Sequence, residues 1–170
     1  MSRRAVIGAE PRSAAQPADE GLNVGQLMGR ARASLLTSLD AELERFGLNS
    51  TQFAVLKHLG EGMAHTAADL CRLHRYDTGT MTRILDRLEE KGLVRRERGR
   101  EDRRVVFLRL APTGRTLLPR LMAVGARVVE AHLAGFSVDE IEALKVYLHR
   151  MIDNGQSRGD NQLTGSGGKP

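Results

Sequence analysis

The chain has 170 residues, 41% hydrophobic and 28% charged, with a single cysteine, Cys71. That is enough chain for one domain with its own core, in the composition of an ordinary globular protein. It excludes an internal disulfide and points to a reducing compartment. The formal net charge of +5 is focused: Arg72 to Arg109 hold 12 Lys/Arg against 7 Asp/Glu, so the rest of the chain sums to zero. A cationic excess confined to one segment is the electrostatic footprint of a polyanion partner.

Aromatic residues are scarce, with four Phe, two Tyr and no Trp. That weighs against recognition of RNA or single strands by base stacking. Only Ala5-Val6-Ile7 follows Arg3 and Arg4 before polar residues resume, which is no signal peptide. No apolar run approaches the ~20 residues that span a bilayer. A cytoplasmic protein without membrane association is therefore expected.

Residues 1–20 show no periodicity and are read as a disordered tail. Between Leu22 and Phe46, Met28, Ala31, Leu35, Leu39, Leu43 and Phe46 recur at three- and four-residue steps, predicting a long amphipathic helix that ends at Gly47. Asn49 with Gln52 forms a capping-box pattern for a second helix, whose apolar face is Phe53, Leu56 and Leu59. Thr66 with Asp69 repeats that pattern before a short third helix carrying Leu70 and Leu73.

After His74-Arg75-Tyr76, Asp77 is the expected N-cap of a fourth helix. Met81, Ile84, Leu85 and Leu88 fall on its buried face at i, i+3, i+4 and i+7. The opposite face presents Gly79, Arg83, Asp86 and Glu90, flanked by Thr80, Thr82 and Arg87. Leu93–Arg98 and Arg103–Leu110 are strand-like, with Val106, Leu108 and Leu110 alternating inward, and Gly99-Arg100-Glu101-Asp102 joins them as a tight hairpin turn. A fifth helix starts at Pro112-Thr113-Gly114 and breaks at Gly135-Phe136. Ser137 with Glu140 caps a sixth, carrying Ile141, Leu144, Leu148, Met151 and Ile152. The Gly/Ser-rich residues 154–170 are read as a second disordered tail.

Three short helices followed by a basic two-stranded hairpin make a winged helix-turn-helix, so the fold class is mainly α with one small β-hairpin. TMTRILDRLEEKGLVRR followed by REDRRVVFLRLAPTG resembles the recognition helix and wing of MarR-type transcriptional regulators, over roughly residues 22–153. The resemblance implies a winged DNA-binding part at 48–111 between dimerisation helices at 22–47 and 113–153. It further implies a homodimer on a pseudo-palindromic double-stranded DNA operator, repression, and release by a small, often phenolic, effector. Three departures stand out. His65 replaces a usual hydrophobic residue before the third helix, Leu110-Ala111-Pro112-Thr113 replaces the usual Leu-Thr, and the wing tip lacks the common proline.

The DNA-binding candidates on the fourth helix are Thr78, Gly79, Thr80, Thr82, Arg83 and Arg87. Threonines bond phosphates or base edges, Gly79 permits close approach, and Arg83 reaches guanine or phosphate. On the wing, Arg98, Arg100, Arg103 and Arg104 are candidates for a minor groove. Asp102, itself repelled by DNA, is expected to pair with an arginine and fix its rotamer. Asp86 and Arg87 are open to ion pairing inside the domain instead.

Long helices with apolar positions on more than one face exceed what one winged domain can cover, which calls for a subunit interface. The histidines show no metal-ligand spacing and no catalytic motif is present, so neither cofactor, metal nor enzymatic activity is expected. Two other readings stand beside the regulator: redox sensing through Cys71, against which a buried thiol is set, and a winged module that binds an acidic protein.

Overall fold

The computed structural model describes residues 23–99 and 105–164, without the side chains of 157–164. Its elements are α1 (Val24–Leu43), a 3-10 turn (Glu44–Phe46), α2 (Ser50–Gly60), α3 (Ala67–His74), α4 (Thr78–Glu90), β1 (Val94–Arg98), β2 (Val106–Leu110), α5 (Pro112–His132) and α6 (Val138–Thr164).

The helix starts follow the polar residues that satisfy the first free N–H groups. Asn49 accepts from the Gln52 backbone at 2.9 Å, and Gln52 returns the bond at 3.2 Å. Thr66 and Asp69 make the reciprocal pair for α3 at 3.1 and 2.9 Å. Ser137 and Glu140 do the same before α6. The helix stops use the left-handed region: Gly47 (φ 64°) after the 3-10 turn and Gly92 (φ 66°) after α4 let the chain reverse without a Cβ penalty. Arg75 takes the same conformation (φ 55°) in the α3–α4 turn, the non-glycine exception among the described residues.

The hairpin is antiparallel, with Val94 opposite Leu110, Arg96 opposite Leu108 and Arg98 opposite Val106. Residues directly opposite share a face, so Val94, Leu108 and Leu110 turn into the core. There they join Leu43, Val55, Leu56, Leu70, Met81, Leu85, Leu88, Leu121 and Val124. This core ties α2, α3, α4 and the hairpin to the middle of α5. At the His65 departure no third strand pairs with the hairpin among the described residues, but the Leu108 N–H donates to the His65 carbonyl at 2.8 Å. The side chain at 65 points outward and Ala64 takes the buried position beside it.

One feature differs from expectation. α6 runs to Thr164, past the end expected at residue 153, and takes in most of the tail read as disordered. Apolar periodicity marks where a helix buries a face, whereas backbone hydrogen bonding continues until a stop signal; Gly155 weakens a helix without ending it. α5 also contains Pro119 in its interior, which removes one rung of the hydrogen-bond ladder. The expected tail at 1–20 lies outside the described residues.

Candidate nucleic-acid interface

α4 is held by one face and presents the other. Met81, Leu85 and Leu88 are buried and Ile84 packs against the same core. Thr78, Gly79, Thr82, Arg83 and Arg87 are exposed, with Thr80 half-buried. Asp77 caps the helix, accepting the Thr80 N–H at 2.9 Å and the Thr80 hydroxyl at 2.6 Å. These bonds from Thr80, side chain first, hold the Asp77 carboxyl below its usual range, so it stays ionised.

The threonines therefore differ from one another. The Thr80 hydroxyl is committed to the cap, and the Thr82 hydroxyl donates to the Thr78 carbonyl at 2.8 Å. What these two offer a partner is a methyl group and an oxygen that can still accept. Arg83 and Arg87 make no ion pair among the described residues, so both guanidiniums remain available.

The acids of α4 are turned aside by a residue that the sequence reading did not single out. Arg96 of β1 donates to Asp86 at 2.7 Å and also bonds Glu89, whose other oxygen accepts the Arg96 backbone N–H at 3.3 Å. Bonding to Asp86, ahead of the attraction to Glu89, raises the Arg96 pKa. The signal was present in parity: Arg96 occupies the strand face shared by Val94 and Leu108, where an apolar residue is the default. Arg96 thus locks the hairpin to the middle of α4 and neutralises Asp86 and Glu89, while Glu90 at the end of the helix stays exposed. On the outer face Glu97 pairs with Arg95 at 2.6 Å and reaches Arg109 at 3.9 Å. Those arginines are partly neutralised, and Arg98 is left exposed at the end of β1 without an ion pair among the described residues.

Asp86 therefore joins an ion pair within the domain, whereas Arg87 joins none among the described residues. Arg100, Asp102, Arg103 and Arg104 lie outside the described residues. The last described contact of the hairpin is the Gly99 N–H donating to the Val105 carbonyl at 2.9 Å.

Arg96→Ala is expected to cost about 1 kcal/mol of stability, because Asp86 and Glu89 remain partly solvated. It should also weaken DNA binding without changing the salt dependence, since Arg96 positions α4 and contacts no phosphate. Salt titrations of affinity by fluorescence anisotropy check this; a shallower salt slope would make Arg96 a phosphate contact.

Two histidines sixteen residues apart meet between α2 and α3. His58 Nδ1 of α2 lies 3.1 Å from His74 Nε2 of α3, and the His74 ring stacks on Tyr76 with centroids 5.8 Å apart. Burial, then repulsion from His58, holds the His74 pKa below its ordinary value. A lowered pKa means the folded state binds fewer protons than the unfolded chain. Its stability contribution is full above the unfolded value of about 6.5 and is lost as pH falls through and below it. The urea midpoint is accordingly expected to drop between about pH 8 and pH 5.5, and His74→Gln should flatten that drop.

Cys71 is half-buried against the core on α3. Among the described residues no group of three His, Cys, Asp or Glu is arranged to hold a metal ion. No described helix is long and apolar enough to cross a membrane.

A family model described as the MarR family matches residues 48–106, from the α2 cap to the start of β2. The HTH-type transcriptional regulator MgrA of Staphylococcus aureus is 30% identical over 109 residues, covering 64% of this chain and 73% of MgrA. The chain belongs to the MarR family. The HTH-type transcriptional regulator MhqR of Bacillus subtilis is 28% identical over 136 residues, covering 78% of this chain and 92% of MhqR. The crystal structure of a cysteine-to-serine variant of E. coli MarR, complexed with operator DNA, superposes with a TM-score of 0.69 at 25% identity, covering 81% of this chain and 99% of that one. This MarR-family chain is a DNA-binding transcriptional regulator, and the α4–hairpin unit is its winged helix. MarR-family regulators are not enzymes.

Proposed function

We propose that this MarR-family chain acts as a homodimeric repressor that binds a pseudo-palindromic operator. In this reading α4 enters the major groove and the wing an adjacent minor groove. The observation that carries it is the exposed face of α4, where Thr78 to Arg83 contain no acid and Arg83 has no ion pair among the described residues. The nearest acids, Asp86 and Glu89, are drawn onto Arg96. A helix presented this way suits the major groove, with its N-terminal residues toward the bases. Arg98, Arg100, Arg103 and Arg104 would supply the wing contacts, with Asp102 orienting one of them.

The dimer is supported by apolar surface that the chain does not cover itself. α6 packs only weakly on other elements, yet exposes Val138, Val146, Tyr147, Leu148, Met151 and Ile152. Val24, Leu27 and Met28 of α1 and Val129 of α5 add to this surface. Apolar area of that extent marks an association face, and a two-fold dimer would set its half-sites about 10 bp apart. Release by a small organic effector follows the habit of the family.

Arg83→Ala tests the α4 assignment. If Arg83 reads a guanine, affinity for the operator should fall by about 1–3 kcal/mol, with discrimination lost at one base position. If it holds a phosphate, binding should weaken equally on all sequences and the salt slope should drop by about 1. Unchanged operator affinity across several salt concentrations would remove Arg83 from the interface.

A further inference from the structure

The turn between α3 and α4 holds the one described non-glycine residue with a left-handed backbone, and that residue is an arginine. Arg75 takes φ 55° and ψ 38° at the end of α3. A helix that ends this way favours glycine, because a Cβ crowds the following carbonyl oxygen in that region. Gly47 and Gly92 fill the corresponding places after the 3-10 turn and after α4. The turn is nonetheless firmly built. The Cys71 carbonyl accepts the Arg75 N–H and, at 3.3 Å, the Tyr76 N–H. The Tyr76 ring then stacks on His74 with 10° between the planes.

Inside the domain the Arg75 side chain offsets none of that strain. It is exposed and makes no ion pair or hydrogen bond among the described residues; the neighbouring Arg72 is the one that pairs with Asp69. Residues 75–79 form an unbroken exposed run that leads into the first turn of α4, the end of a recognition helix that meets the groove. The helix end itself is already filled by an anion. The Asp77 carboxylate accepts the Thr80 N–H at 2.9 Å and the Thr80 hydroxyl at 2.6 Å. A carboxylate there satisfies the helix dipole and repels a second anion. A phosphate at this edge of the groove therefore needs a cation beside the cap, and Arg75, two residues before Asp77, is the nearest in sequence.

We propose that Arg75 clamps a DNA phosphate at the rim of the major groove that receives α4, and that the turn carries arginine in place of glycine for this contact. The clamp positions α4 along the duplex and reads no base. It rests on the reading above in which α4 is the groove helix. A strained residue without a partner in the free protein gains one, a charge-assisted bond to phosphate, only on DNA.

The test pairs thermal melts of the full chain with anisotropy titrations at several salt concentrations, on the DNA upstream of its own gene and on a shuffled duplex. Arg75→Gly should raise the melting midpoint by about 2–4 °C, since the crowded Cβ is gone. The same variant should bind both duplexes about fivefold to tenfold more weakly per bound copy in about 0.1 M salt. Glycine and asparagine both suit the left-handed turn and carry no charge, so Arg75→Gly and Arg75→Asn should each lower the salt slope by about 1 per copy. Arg75→Lys should keep that slope. A lower melting midpoint for Arg75→Gly would make Arg75 a structural residue and overturn the proposal. An unchanged salt slope in both neutral variants would overturn it too. So would a loss confined to the upstream DNA, which would make Arg75 a base reader. Arg83→Ala separates the clamp from the groove reading: if it loses DNA while the Arg75 variants bind normally, the clamp alone falls. Wild-type protein that holds neither duplex would overturn the groove reading and the clamp with it.

Discussion

Gly114→Ala is expected to unfold or severely destabilise this MarR-family chain, lowering stability by at least about 3 kcal/mol. A Cβ at Gly114 would lie 2.1 Å from the Leu93 carbonyl oxygen and 3.0 Å from its carbon, both backbone atoms. That carbonyl already accepts the Ala111 N–H at 2.9 Å, at the point where β1 begins and α5 leaves β2. Relief of the clash would have to break this bond or shift Val94 from its partner Leu110. The first turn of α5 and the root of the hairpin are thus built around the missing side chain. A thermal melt should show a fall of roughly 6–12 °C or no cooperative transition. Gly155→Ala, where a Cβ meets nothing within 4 Å, should leave the midpoint unchanged or raised by the better helix former. A Gly114→Ala protein with wild-type melting would show that the α5–hairpin junction is not a tight contact.

Leu88→Ala should cost about 2–5 kcal/mol, the range for emptying a fully buried leucine site. Leu88 is 0% exposed in the last turns of α4, and its carbonyl accepts the Leu93 N–H at 2.9 Å. It therefore anchors the end of the recognition helix and the turn into β1 together. Urea denaturation should show a lower midpoint with an unchanged slope if the folded state keeps its compactness. A loss under about 1 kcal/mol would mean that α4 is held mainly by the Arg96 ion pairs and not by its apolar face.

The parts of the fold written in local chemistry were legible in the sequence. The Asn49–Gln52, Thr66–Asp69 and Ser137–Glu140 caps, the Asp77 cap and the apolar face of α4 depend on residues three to seven apart. Propensity and pattern act over that range. The α4–hairpin motif was legible for the same reason, and its spacing carried the family. What escaped depends on how separate elements meet. The His58–His74 contact needs α2 and α3 to cross at one level. The Arg96 lock needs the register of β1 against α4, although strand parity hinted at it. That the Thr80 and Thr82 hydroxyls are taken up by the helix itself was not legible, because sequence gives a residue type without its rotamer. The crevice between Arg45 and Phe46 of the 3-10 turn and Arg120 and Arg127 of α5 joins residues more than seventy positions apart, and neither segment alone suggests a site. The extension of α6 was missed because polar helical turns leave no apolar period.

The central claim is that two copies of α4 and its wing read one operator, and a footprint on the DNA upstream of the chain's own gene tests it most directly. Two protected patches centred about 10 bp apart on one face of the duplex are expected, with the Arg83→Ala protein losing protection at the wild-type concentration. Absence of protection at low salt by a folded wild-type chain would contradict it, as would a single patch without two-fold symmetry.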